Sequence, residues 1–106
     1  MAGCQRAGGA PVVAWGRWPS ERFAWVRGEP RCFASSAKGE RSFCPSCGTP
    51  LTFESDEYPD EIDITTVSLD ESEAVPPRDH TRTETQLRWV QLGDGLPRYP
   101  RTRPDR

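Results

Sequence analysis

The chain has no long apolar run, a single histidine, a single methionine and no adjacent pair of basic residues. Its longest apolar stretch, residues 10–15, already contains Pro11. That falls well short of the ~18 residues that cross a bilayer, so no membrane-spanning segment is expected. Nor does a basic region lead into an apolar stretch at the N-terminus in the manner of a signal peptide, and the expected location is the cytoplasm. With no Lys or Arg run and a pI of about 5.4, nucleic acid is not expected as a partner. Hydrophobic residues make up 34% of the 106 residues, a low share. A chain of this length buries only about 60 to 68% of its unfolded surface. The core must therefore be small, and a metal clip or a partner surface would add usefully to it.

What is abundant is punctuation. Eleven prolines and nine glycines separate short alternating or β-branched segments, which is a β pattern. "PVVAWGRW" (11–18) and "RFAWV" (22–26) read as half-buried strands or a strand and a turn. "RCFASS" and "ERSFC" flank a polar loop with Gly39 and read as a hairpin, with "PLTFE" as the return strand. "EIDITTVSL" (61–69) places Ile62, Ile64, Thr66 and Ser68 on one face, which begins apolar and ends polar, so a bulge or a change of environment midway is expected. "DESEAVPPRDH" (70–80) allows one helical turn before Pro76 and Pro77, and "TQLRWVQL" (85–92) reads as a last strand with Leu87 and Trp89 inward. Beyond Gly93 an extended tail is expected to dock through Leu96 and Tyr99. The fold class predicted is mainly β, built of short antiparallel strands and hairpins with at most one or two short helical turns. A domain over residues 1–100 and a flexible basic tail over 101–106 complete the expected organisation.

Charge is uneven. Residues 1–50 carry seven basic and three acidic side chains, and residues 51–106 carry seven and thirteen. The basic half suits a small anionic partner, for which Arg17, Arg27 and Arg41 are candidate carboxylate grips, weighed against ordinary solvated strand positions.

The chemistry-bearing stretch is "FCPSCGTPL" (43–51). A C-x-x-C turn converges two thiols on one point, and its backbone N–H groups can donate to the sulfurs, which suits tetrahedral zinc. Gly48 stands where such a turn needs a left-handed residue. The turn supplies two ligands, so a closed site has to recruit Cys4, Cys32, His80, a carboxylate or another chain. Two alternatives stay open. The cysteines can be plain buried thiols, or a redox pair, although redox activation of the first thiol normally needs a helix starting at the motif, and "LTF" looks like strand.

"GCQRAGGAPVVAW", "FAWVRGEP", "SSAKGERSFCPSCGTPLTF", "IDITTVSLD" and "VPPRDH" occur in an order and spacing that resembles the glutathione-dependent formaldehyde-activating enzyme and centromere protein V family, from Cys4 to about Pro100. The resemblance implies an Mss4-like β fold with two zinc positions and a carbon-sulfur lyase activity on the adduct of a small thiol such as glutathione with an aldehyde. It implies that Cys44 and Cys47 hold half of a structural zinc whose other half is an N-terminal C-x-C. It further implies that Cys4 is the third cysteine of a C-x-C-x-x-C cluster around a reactive zinc with an open position. Met1 then stands where the second cysteine of that cluster belongs. Either the natural start lies upstream or the chain is a shortened paralogue that keeps the scaffold. On the second view the activity is impaired, zinc is incomplete or lost, and the domain is a non-catalytic β-rich interaction module. Such a module would be metal-poor or share zinc between chains, and could form a homodimer through exposed sheet edges. Cys32 reads as a buried hairpin thiol, His80 as a structural hydrogen-bonding residue before a ligand, and Trp15, Trp18, Trp25 and Trp89 as core and rim.

Overall fold

A computed structural model describes residues 2–104. The segments between glycine and proline become five strands: β1 (Trp15–Pro19), β2 (Arg31–Ala34), β3 (Gly39–Phe43), β4 (Pro50–Ser55) and β5 (Glu61–Thr65). They form one antiparallel sheet in the order β1-β5-β4-β3-β2. β2 to β5 follow one another as hairpins, and β1 closes the far side of β5. The mainly β class read from the alternation is thus the observed one. A short helix, α1 (Ala2–Gly8), and four single-turn 3-10 segments are the helical content of the described residues. The chain divides into two compact units, one holding residues 14–75 with the sheet and one holding described residues 2–13 and 76–104.

Directly opposed residues of an antiparallel sheet share a face. One rung runs Cys32, Ser42, Thr52, Ile64, Gly16, and the same face carries Ile62 opposite Trp18. Ile62 is the fully buried apolar side chain, 1% exposed. The other buried residues of this face are polar, Ser42 and Thr52, and Thr65 and Thr66 at the end of β5 are buried as well. Burying hydroxyls is costly unless they pair. The Ser42 and Thr52 hydroxyls bond each other, and Thr65 Oγ1 donates to the Pro50 carbonyl at 2.8 Å.

The next rung, on the opposite face, runs Phe33, Arg41, Phe53, Asp63, Arg17. Arg41 is buried, its guanidinium carbon 4.6 Å from the Phe53 ring centre and its Nε donating to Ser35 Oγ at 3.1 Å. Arg17 Nε sits 2.9 Å from Asp63 Oδ1 and 3.2 Å from Glu61 Oε2. Both arginines are therefore engaged by the sheet itself and are not solvated strand positions.

Of the two readings of residues 11–26, a pair of strands or a strand and a turn, the second is the observed one: β1 leads into a 3-10 turn at Ser20–Arg22, closed by Phe23 N–H to the Ser20 carbonyl at 3.1 Å, and residues 23–26 form no strand and continue as loop. The Phe23 and Trp25 rings pair edge to face at 4.9 Å, so the aromatic alternation is used locally. Residues 85–92 also form no strand: Gln86 Nε2 reaches the Val90 carbonyl at 2.8 Å and Val90 N–H reaches the Leu87 carbonyl at 3.1 Å. Those bonds close a turn, and Leu87 and Trp89 face outward, Trp89 72% exposed. β5 ends at Thr65, and the chain continues as a 3-10 turn at Thr66–Ser68, which is the midway change its polar end foreshadowed. The turn expected before Pro76 is the 3-10 segment Ser72–Ala74.

In the other unit, Gln5 of α1 donates to the Thr85 carbonyl at 3.2 Å. The tail runs beside His80: His80 N–H donates to the Pro97 carbonyl and Tyr99 N–H to the His80 carbonyl, both at 2.8 Å. Arg82 N–H extends this pairing to the Arg101 carbonyl at 2.8 Å, with Leu96 and Tyr99 half-buried.

Because Ile62 anchors the apolar side of the sheet, Ile62→Ala should cost about 3 kcal/mol in denaturant unfolding. Val67→Ala, at a position 77% exposed, should stay within about 0.5 kcal/mol.

Candidate functional site

The C-x-x-C stretch joins β3 to β4 as a tight turn. Gly48 N–H donates to the Cys44 carbonyl at 2.7 Å, and Cys44 N–H donates to the Thr49 carbonyl at 2.9 Å. Gly48 has φ +79°, the left-handed conformation that glycine adopts without penalty. Pairing then slips by one residue: Ser42 faces Thr52 but Phe43 faces Pro50, leaving Leu51 as the extra residue of a bulge.

This turn leaves Cys44 half-buried and Cys47 exposed. Cys47 Sγ lies 3.0 Å from Thr49 Oγ1. The Thr49 hydroxyl holds the Cys47 thiol below its ordinary pKa, with further help from the Thr49 backbone N–H and the Cys44 thiol. Donors that bond a thiolate favour its charged form. Thr49 was not among the residues singled out from sequence. Its one signal there is a hydroxyl two residues after the second cysteine, which a β-turn can direct back at the sulfur.

The other candidates are placed elsewhere. Cys4 lies half-buried on α1, in the unit that does not contain Cys44 and Cys47. Cys32 sits on β2 and is exposed, which corrects the expectation of a buried thiol; β2 is an outer strand, so its side chains face solvent. Slight desolvation and the Glu40 and Glu54 carboxylates raise the Cys32 pKa. His80 Nε2 lies 2.7 Å from Asp94 Oδ2, and Leu96 N–H reaches Asp94 Oδ1 at 3.0 Å. The Leu96 amide and then His80 hold the Asp94 carboxyl below its usual range. His80 is thus a hydrogen-bonding residue of the tail pairing. Of the tryptophans, Trp15 and Trp18 are half-buried on β1, while Trp25 and Trp89 are exposed.

A closed structural zinc site takes four nitrogen or sulfur donors. The turn offers two thiols, and among the described residues no group of three or more His, Cys, Asp or Glu side chains is placed to hold a metal. The donor set described does not make up a closed zinc site. What it does make is a hydrogen-bonded dithiol turn on an antiparallel sheet.

A small antiparallel domain carrying such a turn defines a class, and comparison with known families places the chain within it. The family model for the glutathione-dependent formaldehyde-activating enzyme matches residues 2–85, and the chain belongs to this family. No curated protein matches it.

Thr49→Val removes the hydroxyl and keeps the backbone N–H, so the Cys47 pKa should rise, read from the pH dependence of its alkylation by iodoacetamide. A thiol whose folded pKa is depressed stabilises the fold above its unfolded pKa of about 8.5. That contribution is lost as pH falls through the lower folded value, so wild type should gain more stability than Thr49→Val between neutral pH and pH ~9. Gly48→Ala should cost about 1 to 2 kcal/mol through the backbone alone, since its added Cβ meets nothing within 4 Å.

Proposed function

We propose that this chain is a carbon-sulfur lyase-type domain acting on the adduct of glutathione with formaldehyde, impaired in these 106 residues by an incomplete set of thiolates. The observation that carries the reading is the family match over residues 2–85, which spans Cys4, Cys44 and Cys47. In this reading Cys44 and Cys47 contribute to a structural zinc and Cys4 to a reactive one.

The reaction asked of such a domain is the addition of a thiol to an aldehyde. A sulfur lone pair forms the C–S bond, the carbonyl π electrons move to oxygen, and that oxygen takes up the proton the sulfur gave. The reverse breaks the same bond. The substrates are a small thiol and an aldehyde, and a thiol kept reduced fits the cytoplasm.

A second reading is a non-catalytic interaction module, metal-poor or sharing zinc between copies through Cys44 and Cys47. It is favoured by the exposure of Cys47 and of all four β2 residues, which leaves an outer strand available to pair with a second copy.

Exchange NMR on glutathione and formaldehyde separates the two. The lyase reading expects zinc-supplemented protein to exchange the adduct faster than buffer with the same zinc. An exchange rate equal to that buffer at every zinc level would leave only the interaction module.

A further inference from the structure

We infer that the outer edge of β2 is a self-complementary docking strand, through which two copies of this chain pair antiparallel about a two-fold axis at Phe33. This contact rests on the interaction-module reading and specifies where the copies meet, and it needs neither zinc nor the cysteines of the turn.

The hydrogen bonds of the β2–β3 hairpin fix which way each backbone group points. Ser35 N–H donates to the Gly39 carbonyl at 3.1 Å, so these opposed residues form a hydrogen-bonded pair. Such pairs recur at every second position of an antiparallel ladder, so Phe33 with Arg41 and Arg31 with Phe43 are hydrogen-bonded pairs too. Cys32 and Ala34 therefore turn their N–H and C=O groups away from β3, to the side on which β2 has no neighbour in the sheet. Among the described residues no loop or turn backbone bonds to any of these groups, and all four β2 residues are exposed. A proline within an edge strand would blunt it, but Pro30 stands one residue before β2 begins.

A second copy that adds to this edge has to match its donors and acceptors. With the two-fold at Phe33, Cys32 of each copy faces Ala34 of the other, and each such pair exchanges both its N–H···O bonds. Every outward group of the strand is then satisfied. A two-fold at Cys32 instead sets Ala34 against Pro30, which has no N–H, and leaves the Ala34 carbonyl unmet. One at Ala34 sets Cys32 against Ser36, which lies in the bend beyond the end of the strand. The pattern of edge groups thus selects one register.

The side chains agree with that register. Phe33, 44% exposed, stands opposite its own counterpart as a non-hydrogen-bonded pair, the kind in which side chains approach more closely. Its ring already meets Phe43 edge to face at 6.0 Å, so the axis joins two such ring pairs into one cluster. Arg31 faces Ser35 of the other copy, and no like charges are opposed along the strand. Because both copies use the same edge, the assembly closes as a dimer. The strand is only four residues long, so the dimer is weak and its population follows concentration.

The test uses the full chain, freed of metal by a chelator, in analytical ultracentrifugation over a dilution series up to millimolar concentration. The mass of wild type is expected to rise with concentration from 11.9 kDa towards twice that value. A mixture of isotope-labelled and unlabelled chains should show an NOE between the Phe33 α-protons of different copies, which only this register brings together. Phe33→Glu opposes two carboxylates at the axis, and Ala34→Pro removes an outward N–H while sparing the β2–β3 bonds. Both variants should stay monomeric with the amide spectrum of a folded sheet. Wild type that is monomeric throughout, or a dimer that survives both substitutions, would overturn the inference. A dimer that forms only with zinc and survives Phe33→Glu would overturn it as well, while sustaining the module reading through Cys44 and Cys47.

Discussion

The sheet of residues 14–75 has very little apolar interior to work with. Ile62 is its fully buried apolar side chain among the described residues, and the sheet's other buried residues are hydroxyl-bearing side chains and, on the opposite face, Arg41. A sheet built this way depends on satisfying its buried polar groups, because an unpaired one costs as much as a hydrophobic contact contributes, and among the described residues Trp15 Nε1 on β1 is the buried side-chain atom left without a partner. Ser42 with Thr52, Thr65 with the Pro50 carbonyl, and Arg41 with Phe53 and Ser35 meet that demand on the strands that flank the C-x-x-C turn. The turn is thus mounted on the best-satisfied part of the sheet.

The same economy governs the turn. Two backbone hydrogen bonds, Gly48 to Cys44 and Cys44 to Thr49, and one left-handed glycine close the turn that carries Cys44 and Cys47. In a domain with a small core, a metal at such a turn would ordinarily contribute to folding. Here the strand pairing on both sides, with the bulge at Leu51, already fixes the chain's path. At the turn itself the Cys47 thiol has a side-chain partner in Thr49, whose Oγ1 lies 3.0 Å from Cys47 Sγ.

Much of this was legible from residue order. The hairpin around Gly39, the strands that carry "ERSFC", "PLTFE" and "EIDIT", and the left-handed Gly48 follow from alternation and turn chemistry. Two segments with strand-like alternation are held by local contacts: "RFAWV", where the turn alternative is the observed one, and "TQLRWVQL", where the expected strand did not form. In the first, the Phe23 and Trp25 rings pair; in the second, Gln86 caps the Val90 carbonyl. Burial at outer positions was also hidden. Cys32 looks like any hairpin residue until the strand order places β2 on the outside. The role of Thr49 depends on a 3.0 Å contact that no spacing rule specifies, although the C-x-x-C motif that contains the site was plain.

The central claim is that the dithiol turn is held by its own backbone hydrogen bonds. Amide hydrogen exchange at Cys44 and Gly48, measured by NMR on protein stripped of metal and again with zinc added, tests it most directly. The account predicts slow exchange at both amides in the stripped protein, with protection comparable to that of β3 and little changed by zinc. Exchange of both at unprotected rates until zinc is supplied would contradict it, and would make the metal the cause of the turn.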